Sequence, residues 1–308
     1  MSGPGDDAAA GVPFSATGTV PFRGHRTWYG VAGEGEEAGR LPLLVVHGGP
    51  GSSHDYLEPL AALAEGRRVV FYDQLGCGRS DHPHDPSLWS VDLFEAELGA
   101  LRAALGLERC HLLGQSWGGA LALEHAALRP AGIGSLILAD PLVCTADWIA
   151  EADRLRSELP RDVQGVLRRH EVAGTTGDAA YQQAMLVYYW RHVCRLEPWP
   201  ECLQRSFAAL EADPEVYLTM WGPSEFHCTG VLEDWDVRPK LEAVTAPALV
   251  AGGRFDECTP AIQEDLHRRL PGSEWVVFEE SSHMPHLEER ERFLEVVARF
   301  LRRVEESG

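Results

Sequence analysis

Apolar and polar positions fall into two rhythms along this chain. Short apolar runs, LPLLVVH (41–47), RRVVFYD (67–73), CHLLGQS (110–116) and SLILAD (135–140), alternate with longer segments whose apolar residues recur every three or four positions. A short continuous apolar run predicts a strand covered on both faces, and a three-to-four spacing predicts an amphipathic helix. The strongest helix is 91–106, where Val91, Phe94, Leu98, Leu101 and Leu105 form one stripe. Residues 117–129 predict a second helix, stopped by Arg129-Pro130, and 55–65 reads as helical despite Pro59. Strand, helix, strand in this order implies a parallel sheet with helices on both faces. Ahead of it, GTVPF (18–22) and RTWYGV (26–31) predict two strands around a short turn, and GEGEEAG (33–39) a loop.

From 141 to 243 the alternation stops. Helical spacing dominates there, and five of the nine tryptophans fall in it (148, 190, 199, 221 and 235). The sheet rhythm resumes with APALVAGG (246–253), a helix at 260–270, the strand EWVVFEE (274–280) and a final amphipathic helix at 289–304. The expected organisation is a mobile tail over 1–16, a sheet-based core made of 17–140 and 244–308, and a helical cap of 141–243 inserted after one strand. The fold class this predicts is α/β, a mostly parallel central sheet with helices on both faces.

Composition narrows the partners. The 308 residues carry 47 acidic side chains against 27 Lys and Arg, a formal net charge of −20. Such a surface repels phosphate backbones, so nucleic acid is not an expected partner. No run approaches the ~20 apolar residues of a membrane span, and the acidic start MSGPGDDAAAG is unlike a signal peptide. Seven cysteines with no C-x-x-C predict free thiols in a reducing, cytoplasmic setting rather than disulfides or zinc. No H-E-x-x-H and no phosphate-binding glycine motif occur, so neither a metal nor a cofactor is expected.

The chemistry concentrates where strands end. Gly114-Gln115-Ser116-Trp117-Gly118 fits the G-x-S-x-G elbow, in which a serine sits on a sharp strand-to-helix turn. A serine hydroxyl needs a base to take its proton and a third group to orient that base. In this architecture they follow in the order Ser, acid, His. Asp256 comes just after the run 246–253, and His283 just after 274–280. The predicted catalytic set is therefore Ser116, Asp256 and His283. The backbone N–H groups of Trp117 and of Gly49, in the loop His47-Gly48-Gly49-Pro50-Gly51, are the expected oxyanion donors. His47 reads as a structural hydrogen-bonding residue, His82 and His84 as part of a solvated loop, and His286 and Cys258 as bystanders.

Three blocks together, His47-Gly48-Gly49-Pro50-Gly51, Asp73-Gln74-Leu75-Gly76-Cys77-Gly78-Arg79-Ser80 and Gly114-Gln115-Ser116-Trp117-Gly118-Gly119, resemble the proline iminopeptidase family, capped α/β-hydrolases that release an N-terminal residue from small peptides. The resemblance is nearest to the monomeric branch that includes the tricorn-interacting aminopeptidase. It implies a serine aminopeptidase, a monomer, acting on small peptides or aminoacyl amides. It also implies two carboxylates holding the substrate's free ammonium. They are Glu225, within Gly222-Pro223-Ser224-Glu225-Phe226, and Glu257, next to Asp256. An amidase or esterase acting on amino-acid derivatives through the same three residues is the alternative. The cap sequence diverges most from the family, which leaves the preferred N-terminal residue open.

Overall fold

The structure is a computed structural model that describes residues 12 and 14–307. Its centre is an eight-stranded sheet in the order β1-β2-β4-β3-β5-β6-β7-β8. The strands are β1 Ala16–Phe22, β2 His25–Ala32, β3 Leu43–Val46, β4 Val69–Tyr72, β5 Cys110–Gln115, β6 Ile133–Ala139, β7 Ala248–Gly253 and β8 Glu274–Phe278. β1 pairs antiparallel with β2 and β2 with β4, and every later pairing is parallel. The apolar runs form strands because alternate side chains bury on opposite faces. Leu44, Val46, Val70, Leu112, Leu138 and Val250 face one core. Leu43, Val45, Phe71, Leu113, Ile137 and Leu249 face the other.

Helices close both faces. α1 (Val91–Ala104) starts where the Ser90 hydroxyl accepts from the Leu93 amide at 3.2 Å, and it buries Phe94, Leu98 and Leu101 against the first core. α2 (Trp117–Ala127) follows β5 and is buried along almost its whole length. α8 (Pro260–Arg269) covers the same face, burying Ile262 and Leu266. α10 (Arg290–Ser307), preceded by the single turn α9 (Pro285–Glu288), covers the other face with Phe293, Val296, Val297, Phe300 and Leu301.

Five α-helices lie between β6 and β7: α3 Thr145–Ser157, α4 Arg161–Ala173, α5 Ala179–His192, α6 Glu201–Ala212 and α7 Glu215–Met220. α6 is tied to the sheet-based part: Arg205 donates to Asp55 at 3.1 Å and also reaches Glu58, and the Ser206 and Ser52 hydroxyls lie 2.7 Å apart. Among the described residues no helix is long and apolar enough to cross a membrane.

The helical stretch expected at 55–65 forms a 3-10 helix over 54–63. Pro59 has no N–H to donate, and its ring crowds the preceding turn. The expected tail over 1–16 falls mostly outside the described residues, but its last part is ordered. Phe14 packs edge-on to Trp28 at 5.6 Å, the Ser15 amide donates to the Val31 carbonyl at 2.8 Å, and Ala16 opens β1.

The parallel register sets the site. Val46 lies beside Gly114, Ala139 beside Ala251, and Gly253 beside Phe278. The segments that leave β3, β5, β6, β7 and β8 therefore emerge along one edge of the sheet, where ligands collect in folds of this kind.

Candidate active site

Ser116 joins β5 to α2 at φ +56° and ψ −123°, a conformation an L-residue holds only when its surroundings enforce it. The glycines around it leave the room this turn needs. A methyl on Gly114 would overlap the Gly118 carbonyl, and one on Gly118 would overlap the Val46 carbonyl. Both obstacles are backbone and cannot swing away. Gly118→Ala is expected to cost about 1–3 kcal/mol or more. That should lower the melting temperature by about 5 °C or more in calorimetry; an unchanged midpoint would show that the turn has slack.

His283 sits in the loop after β8. Glu288 of α9 shapes that loop by accepting from the amides of Ser282 (2.9 Å) and Met284 (3.2 Å), and Gln115 donates to the His283 carbonyl at 3.0 Å. The His283 ring donates from Nδ1 to Asp256 Oδ1 at 2.7 Å. Asp256 also accepts from the Cys258 amide at 2.9 Å and faces the Gln263 amide group at 3.5 Å. With Nδ1 engaged, Nε2 is left to accept a proton. Trp148 meets the imidazole edge-to-face at 5.7 Å and restricts its rotation. Ser116 and His283 line one cavity of about 280 Å³, although the serine hydroxyl makes no hydrogen bond among the described residues. Such contacts often tighten only when substrate is bound.

Gly49, at φ +110°, lies beside Ser116 in the same cavity. Among the described residues neither its amide nor that of Trp117 has an acceptor. The loop is fixed from behind. The Gln74 amide donates to His47 Nε2 at 2.9 Å, Gln74 Nε2 donates to the His47 carbonyl at 2.8 Å, and the Trp117 indole donates to Gln74 Oε1 at 2.9 Å. Burial lowers the pKa of His47, so it remains a neutral hydrogen-bonding residue. Tyr56, which the sequence did not single out, links the Gly48 amide (2.7 Å) to Gln115 (2.6 Å) and so joins the two loops.

The two carboxylates are differently placed. Glu225 lines the cavity and accepts from the Tyr217 hydroxyl at 2.8 Å. Glu257 is fully buried, and neither of its oxygens has a hydrogen-bond partner among the described residues. Burial, then Glu225, then Asp256 push its pKa well above the ordinary range. Burial likewise raises Glu225, opposed by His283 and the Tyr217 hydroxyl. Glu257 Oε1 lies 3.9 Å from His283 Nε2. A half-buried carboxyl and a fully buried one, with no Lys or Arg lining the cavity among the described residues, make a site that a substrate ammonium would complement.

The remaining candidates lie elsewhere. His286 is buried against the Tyr56 carbonyl at 3.2 Å, and burial takes its pKa down to about 3. His82 pairs with Asp213 at 2.6 Å, in the stretch between α6 and α7. Cys258 points its thiol at the Pro141 carbonyl, and burial raises its pKa. His54, Asp55 and Glu58 also cluster, but Arg205 already engages both carboxylates.

Two recesses flank Ser116. One is small, about 10 Å³, and is walled by Trp117, Leu142, Trp148, Trp221 and Glu225. The other is the main cavity, lined by Met185, Val193, Leu203, Phe207, Leu210 and Leu218 among others. The insertion supplies most of these walls, and no short motif identified them in the sequence.

Comparison with known proteins bears on this arrangement. The family described as alpha/beta hydrolase fold matches residues 42–290. The proline iminopeptidase of Heyndrickxia coagulans is 42% identical over 266 residues, covering 86% of this chain and 92% of that protein. The crystal structure of the Mycobacterium smegmatis proline iminopeptidase superposes with a TM-score of 0.88 at 44% identity, over 95% of this chain and 99% of that one. The crystal structure of VinJ superposes with a TM-score of 0.92 at 47% identity, over 95% of this chain and all of that one.

Proposed function

The chain belongs to the proline iminopeptidase family of α/β-hydrolases, and from that premise we propose that it is a serine aminopeptidase releasing an N-terminal proline from short peptides. The observation that carries this reading is Glu225, which lines the cavity together with Ser116, and behind it the buried Glu257, whose Oε1 lies 3.9 Å from His283 Nε2; among the described residues no Lys or Arg lines that cavity. An exopeptidase has to recognise a positive terminus, and an amidase or esterase with no free-amine requirement would have no use for a buried unpaired carboxyl. The helices between β6 and β7 act as a cap that walls the substrate in.

The proposed steps use the chain's own groups. The ammonium is held by Glu225 and Glu257, and the N-terminal residue lies in the main cavity beside Ser116. His283 Nε2 takes the Ser116 proton while Oγ attacks the first carbonyl carbon. The amides of Gly49 and Trp117 hold the developing oxyanion. The imidazolium, steadied by Asp256, gives its proton to the leaving nitrogen, and the C–N bond breaks. His283 then deprotonates a water that attacks the acyl-enzyme, and Ser116 recovers its proton as proline departs.

The direct test is a panel of aminoacyl arylamides assayed with the wild type and with Glu225→Ala. The prolyl compound should lead for the wild type, and the variant should lose it. Equal turnover of N-acetylated substrates would remove the aminopeptidase reading. The leaving side makes a second demand. The main cavity is mostly apolar, it includes Glu211 and Glu225, and among the described residues no Lys or Arg lines it. A free dipeptide brings a carboxylate into that field. Prolyl-leucinamide is expected to exceed prolyl-leucine in kcat/KM by about tenfold, a gap that narrows with salt. Equal values would show that the carboxylate reaches solvent.

A further inference from the structure

Asp140 has no part in the steps above, yet it borders the triad. It is the first residue after β6, held at φ +50°, and it is completely buried. Its amide donates to the Ala251 carbonyl of β7 at 2.8 Å, and its Oδ1 accepts from the Gly253 amide at 3.2 Å. Its Oδ2 is buried without a hydrogen-bond partner among the described residues. One oxygen of Asp140, one of Asp256 and a ring nitrogen of His283 all lie within 4.8 Å of one another. The cause is the sheet. β6 and β7 are neighbours in parallel register, so an acid ending one strand meets an acid leaving the next.

Two carboxyls this close, away from water, do not both carry charge. Asp256 has the better claim to it, because the His283 ring, the Cys258 amide and the Gln263 side chain all turn donors toward it. Asp140 has one amide. Its other titratable neighbours are Cys258, Glu288 of α9 and His283, and none is a fixed cation. We infer that Asp140 is a neutral carboxylic acid whose proton, on Oδ2, is donated to Asp256, so that the triad acid is a pair of carboxyls sharing one proton. Burial and the Asp256 charge both push the Asp140 pKa well up, in the same direction. Asp140 is thus a positioning residue: it fixes the Asp256 carboxylate and, through it, the imidazole.

The inference rests on Asp256 being the acid of the triad, and the experiment separates the two. If Asp256 is not that acid, Asp256→Asn keeps its activity. For Asp140, glycine tolerates φ +50° and removes the carboxyl, while asparagine tolerates it and keeps a donor. Asp140→Gly is expected to lose about 10- to 100-fold in kcat with KM little changed, the worth of one hydrogen bond to a charged group. Asp140→Asn should recover most of that loss. Its acid limb in the kcat/KM pH profile should coincide with the wild type, because a neutral side chain replaces a neutral one. In protein carrying 13C-labelled aspartate carboxyls, the infrared band of a buried carboxylic acid should be present at pH 7 in the wild type and absent in Asp140→Asn. An acid limb displaced downward by about one unit or more in Asp140→Asn would mean that a negative charge had been removed, and would overturn the inference. So would a wild-type spectrum without the band, or a failure of asparagine to recover what glycine loses.

Discussion

Ser116→Ala is expected to lower kcat on a prolyl arylamide by on the order of 10⁶-fold, leaving only what binding and the oxyanion donors supply. The loss is large because the serine is the only side chain in the proposed steps that bonds to the substrate carbon. His283→Ala should lose a similar amount, and the double variant little more than either single one, since nucleophile and base act as a unit. Labelling by a fluorophosphonate should disappear in Ser116→Ala. The melting temperature should hardly move, because the hydroxyl makes no hydrogen bond among the described residues. If Ser116→Ala kept more than a trace of turnover, the elbow would not hold the nucleophile. If it unfolded, the loss of activity would carry no message about chemistry, and labelling of the wild type at Ser116 would decide instead.

Glu257→Gln should produce the second largest change and should split activity from stability. A charge-assisted bond to a buried ammonium contributes about 1.5–3 kcal/mol, so the variant should lose roughly 10- to 100-fold in kcat/KM on substrates with a free amine. Removing Glu225 as well should raise the loss to about 10²- to 10⁴-fold. An analogue in which a cyclopentane ring replaces the proline ring lacks the amine and should be almost indifferent to either change. Loss of turnover on that analogue too would point to a damaged triad rather than a missing ammonium site.

The pH dependence of both properties follows from one cause. Burial, Glu225 and Asp256 hold the folded-state pKa of Glu257 above its unfolded value. As pH rises above the ordinary carboxylate range, the unfolded chain releases this proton while the folded chain retains it. The folded state therefore loses stability through that window. Glutamine has no proton to release, so Glu257→Gln should melt higher than the wild type at pH 8 and gain less at pH 4. Substrate binding runs the other way. The ammonium favours the ionised carboxyl, so kcat/KM should climb with pH until the substrate amine itself loses its proton. A wild type whose stability is the same at both pH values would show that Glu257 is solvated.

What could be read from the linear chain was local in character. The apolar runs at 41–47, 110–116 and 246–253 predicted strands because burial on both faces demands uninterrupted apolar residues, and strands formed within them at 43–46, 110–115 and 248–253. The stripe in α1 predicted a helix because 3.6 residues per turn puts every third or fourth side chain on one face. Ser116, Asp256 and His283 could be singled out as candidates because each stands just past a recognisable strand, and Gly49 because its loop is a motif. The same reasoning read 55–65 as helical despite Pro59 but did not say that the helix is of the 3-10 kind.

The rest depends on which strands become neighbours and how the inserted helices lie over them. Asp140 carries the same sign in the sequence as Asp256, an acid at the end of a buried run, but only the pairing of β6 with β7 brings the two carboxyls together. Tyr56, Tyr217, Trp148 and Trp221 belong to no short motif, and they reach the cavity through contacts between residues far apart in the chain. That Glu257 is buried without a hydrogen-bond partner among the described residues is a property of everything packed around it. Periodicity and turn chemistry act over a few residues and are written in order along the chain. Desolvation and electrostatic coupling act through space, and they take a definite value only once the sheet and the inserted helices have closed.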